Sequence, residues 1–204
     1  MELLGITGGI GMGKSAAGDI LRRLGVAVVD TDQLAREVVA TGTPGLRAVL
    51  AEFGDEYQAA DGSLLRAALA KKVFADPAAL ARLNEILHPR IQAAWRAQVA
   101  AWQSAGIARA AITIPLLFEK GYETEFHRIM CIACTADTQR QRLQARGWNE
   151  AEQEHRSRAQ LPVAVKMQRA DGVVWTEGSL AAHQAQWELL LGHPATLFNP
   201  APAA

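Results

Sequence analysis

Apolar and polar positions fall into alternating blocks along the chain. Leu3–Thr7 is a short, nearly unbroken apolar run. After a glycine-rich stretch, Ala17, Ile20, Leu21 and Leu24 recur at helical spacing until Gly25. A short apolar run bounded by turn residues predicts a strand buried on both faces. The recurrence every three or four residues predicts a helix with one apolar stripe, here over Ala16–Leu24. Val26–Val29, Ile107–Ile114 and Ile129–Cys134 are further strand-like runs, with a weaker one at Gly172–Thr176. Strands alternating with helices predict an α/β fold, a five-stranded parallel sheet flanked by helices.

Between the second and third runs the pattern is helical for roughly 70 residues, far too long for a simple crossover. A helical subdomain is therefore expected at about 38–105. The core would comprise about 1–37, 106–137 and 167–192. Asp76-Pro77 reads as an N-cap followed by proline in the first helical position. Leu80, Leu83 and Leu87 follow at helical spacing. A further helix is expected to start near Pro89, with Ile91, Trp95, Val99 and Trp102 as a packing stripe and Gly106 as its stop. Residues 138–166 hold Arg140, Arg142, Arg146, Arg156, Arg158 and Lys166, with Arg169 just beyond. The segment reads either as a solvated helix face or as a lid that closes over phosphates. Residues 193–204, rich in Pro and Ala, read as a flexible tail.

The glycines after the first strand carry the chemistry. Gly8, four residues, then Gly13, Lys14 and Ser15 satisfy the phosphate-loop pattern G-x-x-x-x-G-K-[ST], between a strand and a helix as that loop requires. Backbone N–H groups and the helix dipole would hold a polyphosphate there. Lys14 would reach the β- and γ-phosphates, and Ser15 would ligate Mg2+.

The 21 basic and 21 acidic residues balance to zero net charge. No general attraction to nucleic acid follows, and anion binding must be local. The chain enters its first strand without a charged, then apolar, leader, so no signal peptide is expected. It has no apolar run of about 18 residues, so no membrane span is expected, and a cytoplasmic location follows. The two cysteines, Cys131 and Cys134, stand at C-x-x-C spacing inside a strand-like run. They read as buried structural thiols, because no second pair completes a zinc site.

Asp30 and Asp32 stand at the carboxyl end of the second strand, where ligands sit in such sheets. Either could accept a proton from an attacking hydroxyl or hold a metal-bound water. Asp32 also reads as the N-cap of a helix at Gln33–Ala40. His88-Pro89 reads first as a helix start. Pro115–Glu119 follows the third strand, which Pro115 must end, and Leu116 and Phe118 could line an apolar slot there. The guanine motif Asn-Lys-x-Asp is missing, which counts against a GTPase.

Several short segments together resemble the dephospho-coenzyme A kinases, over nearly the whole chain from Leu4 to about Ser179. They are Gly5–Ser15, Val29–Asp32 with Ala35 and Arg36, Leu87–Pro89, Pro115–Glu119, Gln160–Pro162, Lys166 and Ala170-Asp171. The resemblance implies a P-loop kinase core with a helical substrate subdomain and a lid. It implies transfer of phosphate from ATP, with Mg2+, to the ribose 3′-hydroxyl of dephospho-coenzyme A.

By that resemblance Asp32 is the base, Lys14 holds phosphates and Arg142 contacts ATP. Gly9, Gly11, Met12, Gly13, Ser15, Ala16, Arg146 and Thr176 complete the ATP side. Thr7, Asp32, Arg36, His88, Leu116, Arg156 and Gln160 fall on the acceptor side, and Asp32 could reach the metal through water. Met12 stands where the family loop usually has Ser, and Ala16 where Thr is common. Thr176 stands where the family has an Asn near the adenine, which leaves nucleotide preference open. Another small-molecule P-loop kinase and a non-catalytic nucleotide switch are the rival readings. Self-association is left open.

Overall fold

The computed structural model describes residues 1–148 and 160–192. The chain forms two compact units, Met1–Asp30 with the chain from Ala105 onward, and Thr31–Ser104. The helical unit thus begins at Thr31 rather than at about 38. The reason is local, since the first helix after Asp30 packs on the long helix that ends this unit.

The first unit is built on five parallel strands: β1 (Glu2–Gly8), β2 (Ala27–Asp30), β3 (Arg109–Thr113), β4 (Arg128–Ala133) and β5 (Gly172–Trp175). Their order is β2-β3-β1-β4-β5. β1 is central, pairing Leu4 with Ala111 on one side and with Arg128 on the other. A strand covered on both faces needs apolar residues at successive positions, and Leu3, Leu4 and Ile6 are all buried. On one face, Ala17, Ile20 and Leu21 of α1 (Lys14–Arg23) join Leu4, Ile6, Met130, Ile132, Val174 and Trp187 in a single core. Each fully buried Leu or Ile there contributes roughly 1.5–3 kcal/mol.

The amino ends of the strands are tied by charge. Glu2 accepts from Arg109 at 2.6 Å and pairs with the buried Arg128. Burial alone would raise the Glu2 carboxyl, but hydrogen bonds from the two arginines hold it below the usual carboxylate range. The carboxyl ends are left for chemistry, and the phosphate loop, the Pro115 turn and Thr176 all lie there. The unit is completed by α6 (Ala136–Ala145), α7 (Val163–Arg169) and α8 (Leu180–Gly192).

The second unit comprises α2 (Thr31–Glu37), α3 (Pro44–Phe53), α4 (Arg66–Phe74) and α5 (Pro77–Ser104). Thr43 caps α3, accepting from Leu46 N at 3.1 Å, and Asp76 caps α5, accepting from Ala78 N at 2.9 Å. Val39, Leu46, Val49, Leu69, Val73 and Ala79 form its core, with Leu80, Leu83 and Leu87 packed against it.

Two sequence expectations are corrected here. No new helix starts at Pro89; α5 runs through it for 28 residues. Pro89 withdraws one N–H from the helix ladder, a cost of about 3 kcal/mol. The helix keeps its course because apolar positions pack before and after the proline, the half-buried Leu83 and Leu87 against the core and the buried Trp95 beyond. The next carbonyl in the ladder, Ile86 O, accepts from the Arg90 guanidinium at 2.6 Å. Nor does Asp32 cap a helix at Gln33–Ala40. α2 starts at Thr31 and stops at Glu37, so Asp32 lies inside its first turn, where its charge complements the helix dipole.

Candidate active site

β1 runs into the loop Gly8–Gly13, and α1 begins at Lys14. Gly8 has φ +142°, and a Cβ there would lie 2.2 Å from the Ile132 carbonyl oxygen of β4. No other residue fits so close to a neighbouring backbone. Gly13 precedes α1 with φ +99° and no side-chain cap, and the first turn of α1 carries no acid. Neither a capping side chain nor a first-turn acid therefore occupies the start of the helix, which is the arrangement an anion needs. Lys14 Nζ folds back across this loop, donating to Gly8 O at 3.0 Å and Gly9 O at 2.9 Å. Its charge is thereby held at the mouth of the loop.

Met12 is buried, and a Cβ on Gly9 would meet its sulfur at 2.8 Å. Its side chain therefore fills space beneath the loop. Ser15 is exposed in the first turn of α1 and Ala16 is half-buried.

The loop is gripped from one side by α6 and the end of β5. Gln139 Nε2 donates to Ile10 O at 2.8 Å, and Leu143 packs where a Cβ on Gly11 would come within 2.9 Å. The buried Thr176 hydroxyl donates to Met12 O at 2.9 Å. Arg142 donates through Nη1 to Thr176 Oγ1 at 2.8 Å and through Nη2 to Thr176 O at 2.5 Å. Glu177 pins the start of α6, accepting from Thr135 N at 2.6 Å and Thr138 Oγ1 at 2.9 Å. These bonds hold its carboxyl below the usual range. Arg146 is exposed at the end of α6.

A second cluster forms behind the Pro115 turn. Lys166 of α7 is fully buried, bonded to Pro115 O at 2.6 Å and paired with Glu119 Oε1 at 2.8 Å. The same Glu119 oxygen accepts from Leu161 N at 2.7 Å. Lys166 is thus an internal strut and not one of the basic residues of a solvated face or lid. Thr7, expected on the acceptor side, adjoins this cluster. It lies on the central strand with no exposed surface, and its hydroxyl is turned to Pro115 O at 3.3 Å. Leu116 and Gln160 are half-buried at either end of this cluster, while Arg156 lies outside the described residues. Arg169 stacks 4.6 Å from the Phe118 ring and pairs with Glu123.

In the helical unit, Asp32 and Arg36 are exposed one turn apart on α2, and His88 is half-buried in the middle of α5. Arg66 Nη2 donates to the Arg36 carbonyl at 2.7 Å. Burial, and then the positive charge of Arg36, lower the Arg66 pKa. Two cations side by side favour an anionic neighbour. Sequence reading passed over Arg66 because its partner is distant along the chain.

The cysteines fit the structural reading. Both thiols are free and buried, and burial pushes Cys131 up to about 11. Such a thiol is a poor nucleophile at neutral pH. No helix among the described residues is long and apolar enough to cross a membrane.

Comparison with known proteins bears on what this site serves. The sequence model of the dephospho-CoA kinase family matches residues 2–182. The dephospho-CoA kinase of Anaeromyxobacter dehalogenans is 42% identical over 192 residues, covering 94% of this chain and 91% of the relative. The crystal structure of TT1252 from Thermus thermophilus superposes with a TM-score of 0.75 at 32% identity, covering 97% of this chain and 98% of that one. A shikimate kinase from Bacteroides thetaiotaomicron shares the fold alone, with a TM-score of 0.52 at 14% identity over 93% of this chain and 98% of its own.

Proposed function

This chain belongs to the dephospho-CoA kinase family, and from that premise we propose how its residues divide the work of the reaction. The reaction is ATP-dependent phosphorylation of the ribose 3′-hydroxyl of dephospho-coenzyme A, the last step of coenzyme A synthesis. The bond from the 3′-oxygen to the γ-phosphorus forms, the bond from that phosphorus to the β,γ-bridging oxygen breaks, and ADP and coenzyme A leave. The observation that carries this reading is the uncapped start of α1 beneath a glycine loop crossed by Lys14. The family premise supplies the acceptor, which the fold shared with shikimate kinase does not select.

The N–H groups of Gly9, Gly11, Met12, Gly13, Ser15 and Ala16 hold the phosphates, and Lys14 turns from Gly8 O and Gly9 O to them. Arg142 and Arg146 serve the ATP side from α6. Phosphoryl transfer depends on positioning and on charge stabilisation more than on covalent help from the protein. Asp32 orients the 3′-hydroxyl and takes its proton. It is exposed in the first turn of α2. Arg36, His88, Leu116, Arg156 and Gln160 serve the acceptor.

Mg2+ fits the donor set as an ion shared with the nucleotide. Among the described residues no group of three or more His, Cys, Asp or Glu side chains could hold a metal alone. Ser15 offers an exposed hydroxyl beside the anion site, with Asp32 as a contributor through water. Mg2+ commonly keeps several waters and takes the remainder of its oxygens from substrate phosphates. When bound it neutralises charge building on the phosphate oxygens.

The test is ADP release from the purified protein with magnesium and ATP, with and without dephospho-coenzyme A, and the product mass. ADP that appears only with the acceptor, together with coenzyme A by mass, is the expected result. ATP binding without acceptor-dependent turnover would reject it.

A further inference from the structure

Three separate contacts join α6 and the end of β5 to the phosphate loop, and they touch successive loop residues. Gln139 holds Ile10 O, Leu143 covers Gly11, and Thr176 holds Met12 O. Thr176 is the only one of these side chains that also holds Arg142. Its hydroxyl has one proton and two lone pairs. The proton goes to Met12 O at 2.9 Å, and a lone pair accepts Arg142 Nη1 at 2.8 Å. The backbone of Thr176 is itself fixed in the sheet, its N–H donating to Ala133 O at 2.9 Å and its carbonyl accepting Arg142 Nη2 at 2.5 Å. Its methyl group stands 3.1 Å from where a Cβ on Gly13 would be, so it also limits how far that end of the loop can shift.

With its single proton committed to Met12 O, the Thr176 hydroxyl has no donor left to offer a purine edge. We propose that Thr176 is a positioning residue which, together with α6, holds the phosphate loop and Arg142 in one fixed relation, so that nucleotide affinity depends on its hydroxyl without that hydroxyl touching the nucleotide. The inference rests on ATP as the nucleotide of the preceding subsection.

The physical reason is preorganisation. A loop already held in its binding shape loses less freedom when the phosphates arrive. Arg142 is flexible by nature, and a two-point hold on Thr176 removes much of its freedom before binding. A valine in place of Thr176 keeps the shape and the methyl contact. It leaves Met12 O without its donor and frees the guanidinium.

The test is titration of magnesium-ATP into the purified protein in the absence of acceptor, with the melting temperature recorded alongside. Thr176→Val should weaken ATP binding about tenfold, the effect of unpairing one buried hydrogen-bonded group. Thr176→Ser, which keeps the hydroxyl, should bind within about twofold of the parent. Arg142→Lys loses the two-point hold. Thr176→Val added to it should cost less than it does in the parent, because the hold on Arg142 is already gone and only the bond to Met12 O remains to be lost.

Gln139→Ala removes a tie at the edge of α6 with little threat to folding, and should weaken ATP binding about threefold by loosening the loop. It carries the test if Thr176→Val does not fold. Three results would overturn the proposal: Thr176→Val that loses melting temperature but binds ATP as the parent does, Thr176→Ser as weak as Thr176→Val, or unchanged binding in Gln139→Ala. Binding is read without acceptor. A parent that binds ATP yet fails to phosphorylate dephospho-coenzyme A would refute the functional reading and leave this test intact.

Discussion

Lys166 Nζ lies 2.8 Å from Glu119 Oε1, and the lysine has no exposed surface. Its other bond is to Pro115 O at 2.6 Å. The pair ties α7 to the turn that follows β3, and Glu119 passes the tie to Leu161 through a 2.7 Å hydrogen bond. The carboxylate and ammonium were both taken from water, so their attraction mainly offsets their own desolvation.

Removing one partner therefore does more harm than removing both. Lys166→Met should destabilise the protein by about 3–5 kcal/mol, because Glu119 is left as a buried charge. Adding Glu119→Gln neutralises that charge and keeps an acceptor for Leu161 N, so the double variant should regain part of the loss. Urea unfolding of the three proteins measures this. Equal midpoints for Lys166→Met and the parent would show that the pair is not the strut inferred.

Gly8→Ala tests why the loop begins with glycine. The added methyl would sit 2.2 Å from Ile132 O, at φ +142°. The obstacle is β4 backbone, which cannot rotate away as a side chain can. The expected result is a loss on the order of 3 kcal/mol or more in folding stability, together with lost ATP binding. A Gly8→Ala protein that melts with the parent and loses only ATP affinity would mean the residue serves the ligand alone.

Asp32→Asn separates chemistry from binding. Asp32 is exposed in the first turn of α2 and makes no part of either core. The amide keeps the size of the carboxylate and cannot take a proton. Turnover should fall by ~10²–10⁴-fold, the usual contribution of a general base, while ATP affinity stays near that of the parent. Steady-state kinetics with both substrates varied decides it. An unchanged kcat would remove Asp32 from the role of base.

What was legible in the sequence is what depends on neighbours in the chain. The first strand, the glycine loop and α1 follow from one continuous segment, and each of the five strands is announced by its own apolar run. Helix ends were less legible, because α5 passes Pro89 on the strength of burial contributed by other helices. The ties around the loop were not legible at all. Thr176 meets Arg142 across 34 residues and Met12 across 164. At Lys166 the composition misled, since a lysine among arginines reads as solvated until its carboxylate partner is found on another element.

His183 gives a pH dependence that arises outside the catalytic groups. It is buried on α8, and its Nε2 accepts the Trp187 indole N–H at 3.2 Å. Only the neutral ring can accept there. Burial first, and then the positive charge of Arg142, lower its pKa below the ordinary histidine value. The unfolded chain therefore binds this proton more readily than the folded one, and stability rises with pH through that interval. The contribution is complete above the unfolded value of about 6.5 and is lost as pH falls toward the lowered folded value. The melting temperature should decline as pH is taken from about 7 into that interval. His183→Gln offers an uncharged acceptor to Trp187 and should flatten the decline. If the variant and the parent fall in parallel, the acid sensitivity belongs to other groups.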